Sequence, residues 1–252
     1  MITLASDFGS PYPAAMRGVL CSRTDARLVD VAHDFPRQDV RAAAFWLREV
    51  LPTFPPAVHL VVVDPTVGTD RRPIVVVAGE HALVGPDNGV LLPAARALAG
   101  DADLACYEIP VEDPASATFH GRDVFAPAAA DVHERGIDDV EEAYPTAPDP
   151  VDLTFPEATV DGAHARGEVL VVDGFGNVVT NVPGSFLTGR WGDRASVAGR
   201  GVPVERTYAA VDRGERLLTV GSHGNVELAV NQGRGDEAFG VEAGSPVEID
   251  LA

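Results

Sequence analysis

The first 140 residues are built from short, continuous apolar runs that end in acids and turn residues. Ile2–Ser6 runs into Asp7-Phe8-Gly9, Leu28–Ala32 into His33-Asp34, and Leu60–Val63 into Asp64-Pro65; Ile74–Ala78 and Ala82–Val84 follow, the latter leading into Gly85-Pro86-Asp87-Asn88-Gly89. Between them lie stretches with helical spacing, Val40–Leu51 stopped by Pro52, and Val90–Leu98. Uninterrupted apolar strands alternating with helices predict a mostly parallel sheet covered on both faces. The texture changes at Tyr144–Pro156, which holds four prolines and two acids without a helical period and reads as a linker. Beyond it only β patterns remain. Glu168–Asp173 with Val178–Val182, and Arg216–Val220 with Asn225–Val230, read as hairpins, and Pro246–Leu251 as a last strand. Strands this short and close predict a small barrel or sandwich. The expected organisation is an α/β N-terminal domain over residues 1–143, a linker over 144–163 and a smaller, barrel-like all-β domain over 164–252.

In an open α/β sheet, ligands bind in the crevice beyond the carboxyl ends of the strands. Asp7, Asp64, Asp87 and Asn88 all fall where the first, third and fifth strands should end. Each alone has an ordinary role as a turn or cap residue; their convergence is what suggests a site. Asp64 and Arg71 stand seven residues apart across a tight loop, a spacing that suits a bidentate ion pair, either as a structural clasp or as part of a site. In Thr118–Pro127, His120 sits at a helix entry beside Gly121, where backbone and ligand can approach closely, and Asp123 complements the helix dipole. Asp173-Gly174-Phe175-Gly176-Asn177 joins two strands; a hairpin accounts for its glycines, while an aromatic beside an amide suits a flat heterocycle. Gly221–Asn231 offers the Ser222 hydroxyl, the Glu227 carboxylate and an amide, groups that suit an amino-acid-like ligand.

Composition narrows the partners. The 252 residues suffice for two cores, and the longest apolar runs are far too short to span a bilayer. The N-terminus lacks the basic start of a signal peptide, so a cytoplasmic protein is expected. Two cysteines form neither a disulfide framework nor a metal motif. Net charge is −19, which excludes nucleic acid and anionic membranes as natural partners. All nineteen basic residues are arginine, and an acidic, lysine-free surface suits a salt-rich cytosol, although a GC-rich genome also favours arginine. Neither GxGxxG nor a P-loop is present.

Ser6-Asp7-Phe8-Gly9, the Asp64–Arg72 loop, Pro86-Asp87-Asn88-Gly89, Thr118–Pro127, Asp173–Asn181 and Gly221–Asn231 together, in that order, resemble the S-adenosylmethionine hydroxide adenosyltransferases, relatives of the fluorinase and chlorinase enzymes. The resemblance implies hydrolysis of S-adenosyl-L-methionine, in particular its (R)-sulfonium epimer, to adenosine and L-methionine, with no metal or redox cofactor. It implies a catalytic set of Asp64, Arg71 and His120, and substrate contacts from Asp7, Tyr12, Phe119, Asp173, Phe175, Asn177, Ser222, Glu227 and Val230. It also implies a homotrimer whose sites lie between neighbouring subunits. Asp64 stands where the halogenases carry an uncharged residue and Gly121 where the fluorinase carries serine, which points to water rather than halide as the nucleophile. Two positions depart from the family pattern: Thr66 replaces a glycine, and the opening motif lacks a second Asp that in relatives lies near the methionine ammonium. The alternatives are a halogenase, a non-catalytic adenosine-binding module, and a metal hydrolase using Asp64, Asp87 and His120.

Overall fold

The computed structural model describes residues 1–111 and 116–251. The chain forms two compact units, Met1–Leu153 and Thr154–Ala252.

The first unit runs β1 (Ile2–Ser6), α1 (Tyr12–Cys21), β2 (Leu28–Ala32), α2 (Val40–Val50), β3 (Val58–Val62), β4 (Pro73–Ala78), β5 (His81–Pro86), α3 (Leu92–Ala99), β6 (Leu104–Glu108), α4 (Ala126–Arg135) and the single turn α5 (Val140–Ala143). Its six strands lie in the order β2-β1-β3-β5-β4-β6. All run the same way except β4, which is antiparallel to both neighbours, so the sheet is mostly parallel. β1, β3 and β4 are buried almost throughout, as both-face coverage requires. α1 packs with α4 over β1 and β3, and α2 packs with α3. Asp39 caps α2 by accepting the Ala42 N–H at 2.9 Å, and Pro52 ends it by opening a 3-10 turn over Leu51–Thr53.

β2 and β3 lie on opposite sides of β1, so the strand order reverses there. That reversal opens a crevice beyond the ends of β1 and β3, where Asp7 and Asp64 follow. The proline-rich stretch after α5 is fastened to the sheet. Thr146 bridges Tyr107, Glu108 N–H donates to Pro145 O, and Ala147 N–H donates to Cys106 O at 2.8 Å. Proline cannot continue a ladder, so the pairing is a short edge contact only.

The second unit contains β7 (Thr159–Asp161), β8 (His164–Val172), β9 (Val178–Pro183), β10 (Arg194–Val197), β11 (Arg200–Pro203), β12 (Arg216–Val220), β13 (Asn225–Val230), α6 (Gly235–Phe239) and β14 (Pro246–Leu251). Strand order is β11-β10-β14-β8-β9-β13-β12, with β7 on β8, and every ladder is antiparallel. A bridge from Val204 to Leu218 brings the two edges together and nearly closes a barrel. Closure removes the exposed edges that a sheet of short strands would otherwise present. β14 alternates exposed and buried residues without exception, and its inward Val247, Ile249 and Leu251 join Val169, Val178 and Leu228 in the core.

The sequence pattern places β1, β2, β12, β13 and β14 at their observed limits and β3, β4 and β5 within a few residues. It does not announce β6, β10 or β11. Leu104–Glu108 is half-buried on an edge, and the other two are only four residues each, too short for their pattern to stand out, with β11 also breaking the alternation.

Candidate active site

A cleft of about 490 Å³ opens beyond the ends of β1 and β3. Its lining includes Asp7, Phe8, Tyr12, Arg37, Asp64, Phe119, His120 and Gly121. Asp64 enters it because Val63, just past the end of β3, is still buried and Pro65 biases the residue before it to extended backbone. The loop then doubles back, with Thr69 N–H donating to Thr66 O at 3.1 Å. Gly68 makes the next contact possible: its φ is +81°, and a Cβ there would lie 2.9 Å from the Ala117 carbonyl oxygen. The loop is thereby packed against the segment that carries His120.

Arg71 returns from that loop onto Asp64. Its Nε donates to both carboxylate oxygens at 3.0 and 3.1 Å, and its Nη2 donates to Oδ2 as well. The same Nη2 lies 3.0 Å from His120 Nδ1, and the guanidinium rests over the buried Phe125 ring at 4.9 Å. Both charged groups of the pair are almost wholly buried. A guanidinium donates only, so Nδ1 must accept and the ring proton sits on Nε2. Burial first, then the Arg71 charge, lowers the His120 pKa against the opposing pull of Asp64 and Asp123. His120 is therefore neutral near pH 7, with one nitrogen left to donate.

Around this triad the cleft carries two further features. Asp7 Oδ2 accepts the Gln38 N–H at 2.6 Å, which fixes the carboxylate at the mouth of the strand. Phe8, Tyr12 and Phe119 meet edge to face, with centroid distances of 5.4 to 6.2 Å, and form an aromatic wall. Gly121 lies under that wall. A Cβ there would sit 3.0 Å from Met16 Sδ, 3.2 Å from Phe119 and 3.3 Å from Val62. Gly121→Ser is expected to destabilise the chain by about 1–2 kcal/mol through overpacking, read as a lowered midpoint in denaturant. An unchanged midpoint would mean that the wall yields freely.

Asp87 and Asn88 are not part of the cleft. Asp87 clamps Arg72 at 2.9 Å to Nε and accepts the Val151 N–H at 2.7 Å. Asn88 donates to Val63 O and accepts the Val90 N–H. Their convergence with Asp7 and Asp64 in sequence reflects turn chemistry at strand ends. Among the described residues, no group of three histidine, cysteine or acidic side chains could hold a metal.

The second unit gathers its own residues. Asp173 folds its loop: Oδ1 accepts the Phe175 and Asn177 N–H groups at 2.9 and 2.8 Å, and Oδ2 accepts the Asn177 side-chain amide at 2.9 Å. Asn177 is buried with its carbonyl oxygen left over, and Phe175 stands 82% exposed. A bare phenyl ring held on a rigid turn has no packing reason to be there. Glu227 is buried, accepts the Tyr208 hydroxyl at 2.7 Å and lies 3.0 Å from His223 Nε2. Burial, followed by the bond to Glu227, raises the Tyr208 pKa well above its ordinary value. Ser222 is exposed. Val230 is buried, and its carbonyl accepts the Gly233 N–H at 3.2 Å.

Asp64, Arg71, His120, Asp7, Tyr12 and Phe119 thus meet in the first unit, and Asp173, Phe175 and Asn177 share one turn of the second. Three partners carry no sequence signal: the Gln38 N–H that seats Asp7, the Phe125 floor beneath Arg71, and Tyr208 on Glu227. Each acts through a backbone group or a fold contact that spacing does not encode.

The chain is similar to known proteins over nearly its whole length. Residues 2–142 match the model of the SAM hydroxide adenosyltransferase N-terminal domain, and residues 167–248 match that of the C-terminal domain. The (R)-S-adenosyl-L-methionine hydrolase of Thermus thermophilus is 42% identical, covering 97% of this chain and 97% of its own length. That of Salinispora tropica is also 42% identical, covering 98% and 97%. The crystal structure of an uncharacterized conserved protein from Thermotoga maritima superposes with a TM-score of 0.86 at 33% identity, covering 99% of this chain and 100% of that one.

Proposed function

The chain belongs to the SAM hydroxide adenosyltransferase family, and from that membership we propose that it cleaves (R)-S-adenosyl-L-methionine with water, releasing adenosine and L-methionine. The observation that carries the reading is one guanidinium, Arg71, holding Asp64 and His120 together on the wall of a cleft that also presents Asp7.

The reaction is a displacement at the ribose C5′ carbon. The water oxygen bonds to C5′, the C5′–S bond breaks with its electron pair moving onto sulfur, and methionine leaves as a neutral thioether. Such a leaving group needs no general acid, no metal and no redox partner. The attacking oxygen becomes positively charged as it bonds to carbon and must shed one proton. Asp64 accepts a hydrogen bond from the water, orients it in line about 3–3.5 Å from the carbon, and passes that proton on to solvent. His120, neutral with its proton on Nε2, donates to the water oxygen and so fixes its remaining orientation. Arg71 holds both groups in place. Asp7 takes the ribose diol through Oδ1, since Oδ2 already serves Gln38. Phe175 stacks on adenine, with the Asn177 carbonyl oxygen accepting from its exocyclic amine and Asp173 holding the turn. Ser222 and Glu227 serve the amino-acid end, Tyr12 and Phe119 line the sugar, and Val230 contributes its strand. A halide in place of water would face the Asp64 carboxylate, and a serine at Gly121 would crowd Phe119.

The groups assigned to the sugar lie in one unit and those assigned to adenine in the other. We infer a homotrimer in which neighbouring subunits supply the two halves, and sedimentation of a trimer mass checks it. The acidic, lysine-free composition supports a salt-rich cytoplasm as its working medium. No described helix is long and apolar enough to cross a membrane. The deciding experiment incubates the protein in high salt with each sulfonium epimer separately and quantifies adenosine and methionine. Equal amounts of both from the (R) epimer are expected. Binding of adenosine without release of methionine would reduce the chain to a binding module, and a halide-dependent product would make it a halogenase.

A further inference from the structure

We propose that Arg37 recognises the α-carboxylate of the substrate's methionine end, a role that rests on the hydrolase reading above. Two arginines line the cleft, and a third stands behind its acid and histidine. Arg71 is spent on Asp64, and Arg122 is locked to Asp123 through Nε at 2.6 Å and Nη2 at 2.8 Å. Arg37 lines the same cleft and pairs with no acid among the described residues. Its guanidinium faces the ligand space, where it is left to meet an anion brought by the ligand.

Its backbone is held on both sides. Phe35 is buried and Asp39 N–H donates to Pro36 O at 3.1 Å, while Asp39 itself caps α2. Gln38 is held at a φ of 63° with its N–H on Asp7. Arg37 therefore springs from the peptide next to the one that seats the proposed ribose anchor. A fixed base with a free planar fork is what bidentate carboxylate recognition needs. The substrate offers one anion only. Its sulfonium and ammonium are cations and its nucleoside is neutral, so a bare guanidinium in this cleft has the α-carboxylate as its single complementary group.

The test compares the unmodified chain with Arg37→Gln and Arg37→Lys, using S-adenosylmethionine as substrate and its decarboxylated analogue as a competing ligand. Arg37→Gln is expected to raise KM about tenfold with kcat within about twofold, the mark of a lost contact that ground state and transition state share. Arg37→Lys should recover part of the loss, because charge survives without the fork. The analogue should compete equally well against all three. An unchanged KM overturns the proposal, as does an equal loss of affinity for the analogue or a change in oligomeric mass. Failure of the unmodified chain to release adenosine is a separate result that removes the hydrolase reading and this one with it.

Discussion

Asp64→Asn is expected to lower kcat for adenosine release by about 100- to 1,000-fold, with KM changed far less. The asparagine keeps the shape of the side chain but changes two interactions at once. Its NH₂ end donates rather than accepts, so the water loses the group that orients it and drains its proton. Arg71 also loses the carboxylate that it holds through Nε and Nη2 in an almost wholly buried pair. Removing one partner of such a pair leaves a buried charge uncompensated, at a cost of about 3–5 kcal/mol. The two effects separate by measurement. Steady-state kinetics reports the first, and denaturant titration of the same sample reports the second. Arg71→Met orphans the Asp64 carboxylate in the same way, so it should cost comparable stability and also slow turnover. An Asp64→Asn protein that stays folded and turns over within tenfold of the original would remove Asp64 from the reaction.

The sequence makes the scaffold legible where physical constraints are local. A strand buried on both faces is dominated by apolar residues, so β1 and β3 stand out despite the buried Thr3, Ser6 and His59, and their ends mark the crevice. An alternating strand such as β14 is equally plain. Asp64 and Arg71 are close enough in sequence for a loop to join them, and spacing alone suggests the pair. His120 is 49 residues from Arg71, and only the sheet order brings them together. The polar residues at strand ends show the limit of this reasoning: Asp7 and Asp64 open into the cleft, whereas Asp87 and Asn88 hold Arg72, Val63 and the 148–151 segment. All four satisfy the same turn preferences, and which of them face a ligand depends on where the strand order reverses. β10 and β11 escape notice for another reason. Their stability comes from barrel closure, a non-local gain that four residues of sequence do not record.

Acid should destabilise the first unit through histidines whose pKa is lowered by burial. His59 is fully buried at the opposite end of β3 from Asp64, with Nδ1 2.8 Å from Thr3 Oγ1 and Nε2 3.0 Å from His81 Nδ1. Burial, reinforced by His81, lowers its pKa to about 3. Burial also lowers His81, against an opposing Glu80, and His133 is lowered by burial and by the chain's amino terminus, against Glu134. A histidine whose folded pKa is depressed binds fewer protons folded than unfolded. Its contribution is therefore complete above the unfolded value near 6.5 and is lost as pH falls toward the folded one. For His59, a drop from 6.5 to about 3 corresponds to roughly 4–5 kcal/mol, comparable to the whole stability of a small domain. Stability should thus fall by about 1.4 kcal/mol per pH unit for this one group between about pH 6 and 4. Trp46 lies in α2 of the first unit and Trp191 in the second, so tryptophan fluorescence in a Trp191→Phe background follows the first unit alone. Denaturant titrations at pH 7 and 4.5 should show the loss, and His59→Gln, which does not titrate, should flatten the slope by about one proton. Parallel slopes in the two proteins would show that His59 is not the group that acid attacks. Activity has its own titrating histidine, His120, at the other end of the same strand, where Arg71 rather than burial against His81 assists the shift. Acid inactivation in His59→Gln should accordingly persist on the activity axis after it has weakened on the stability axis, since the two protonations lie beyond opposite ends of β3.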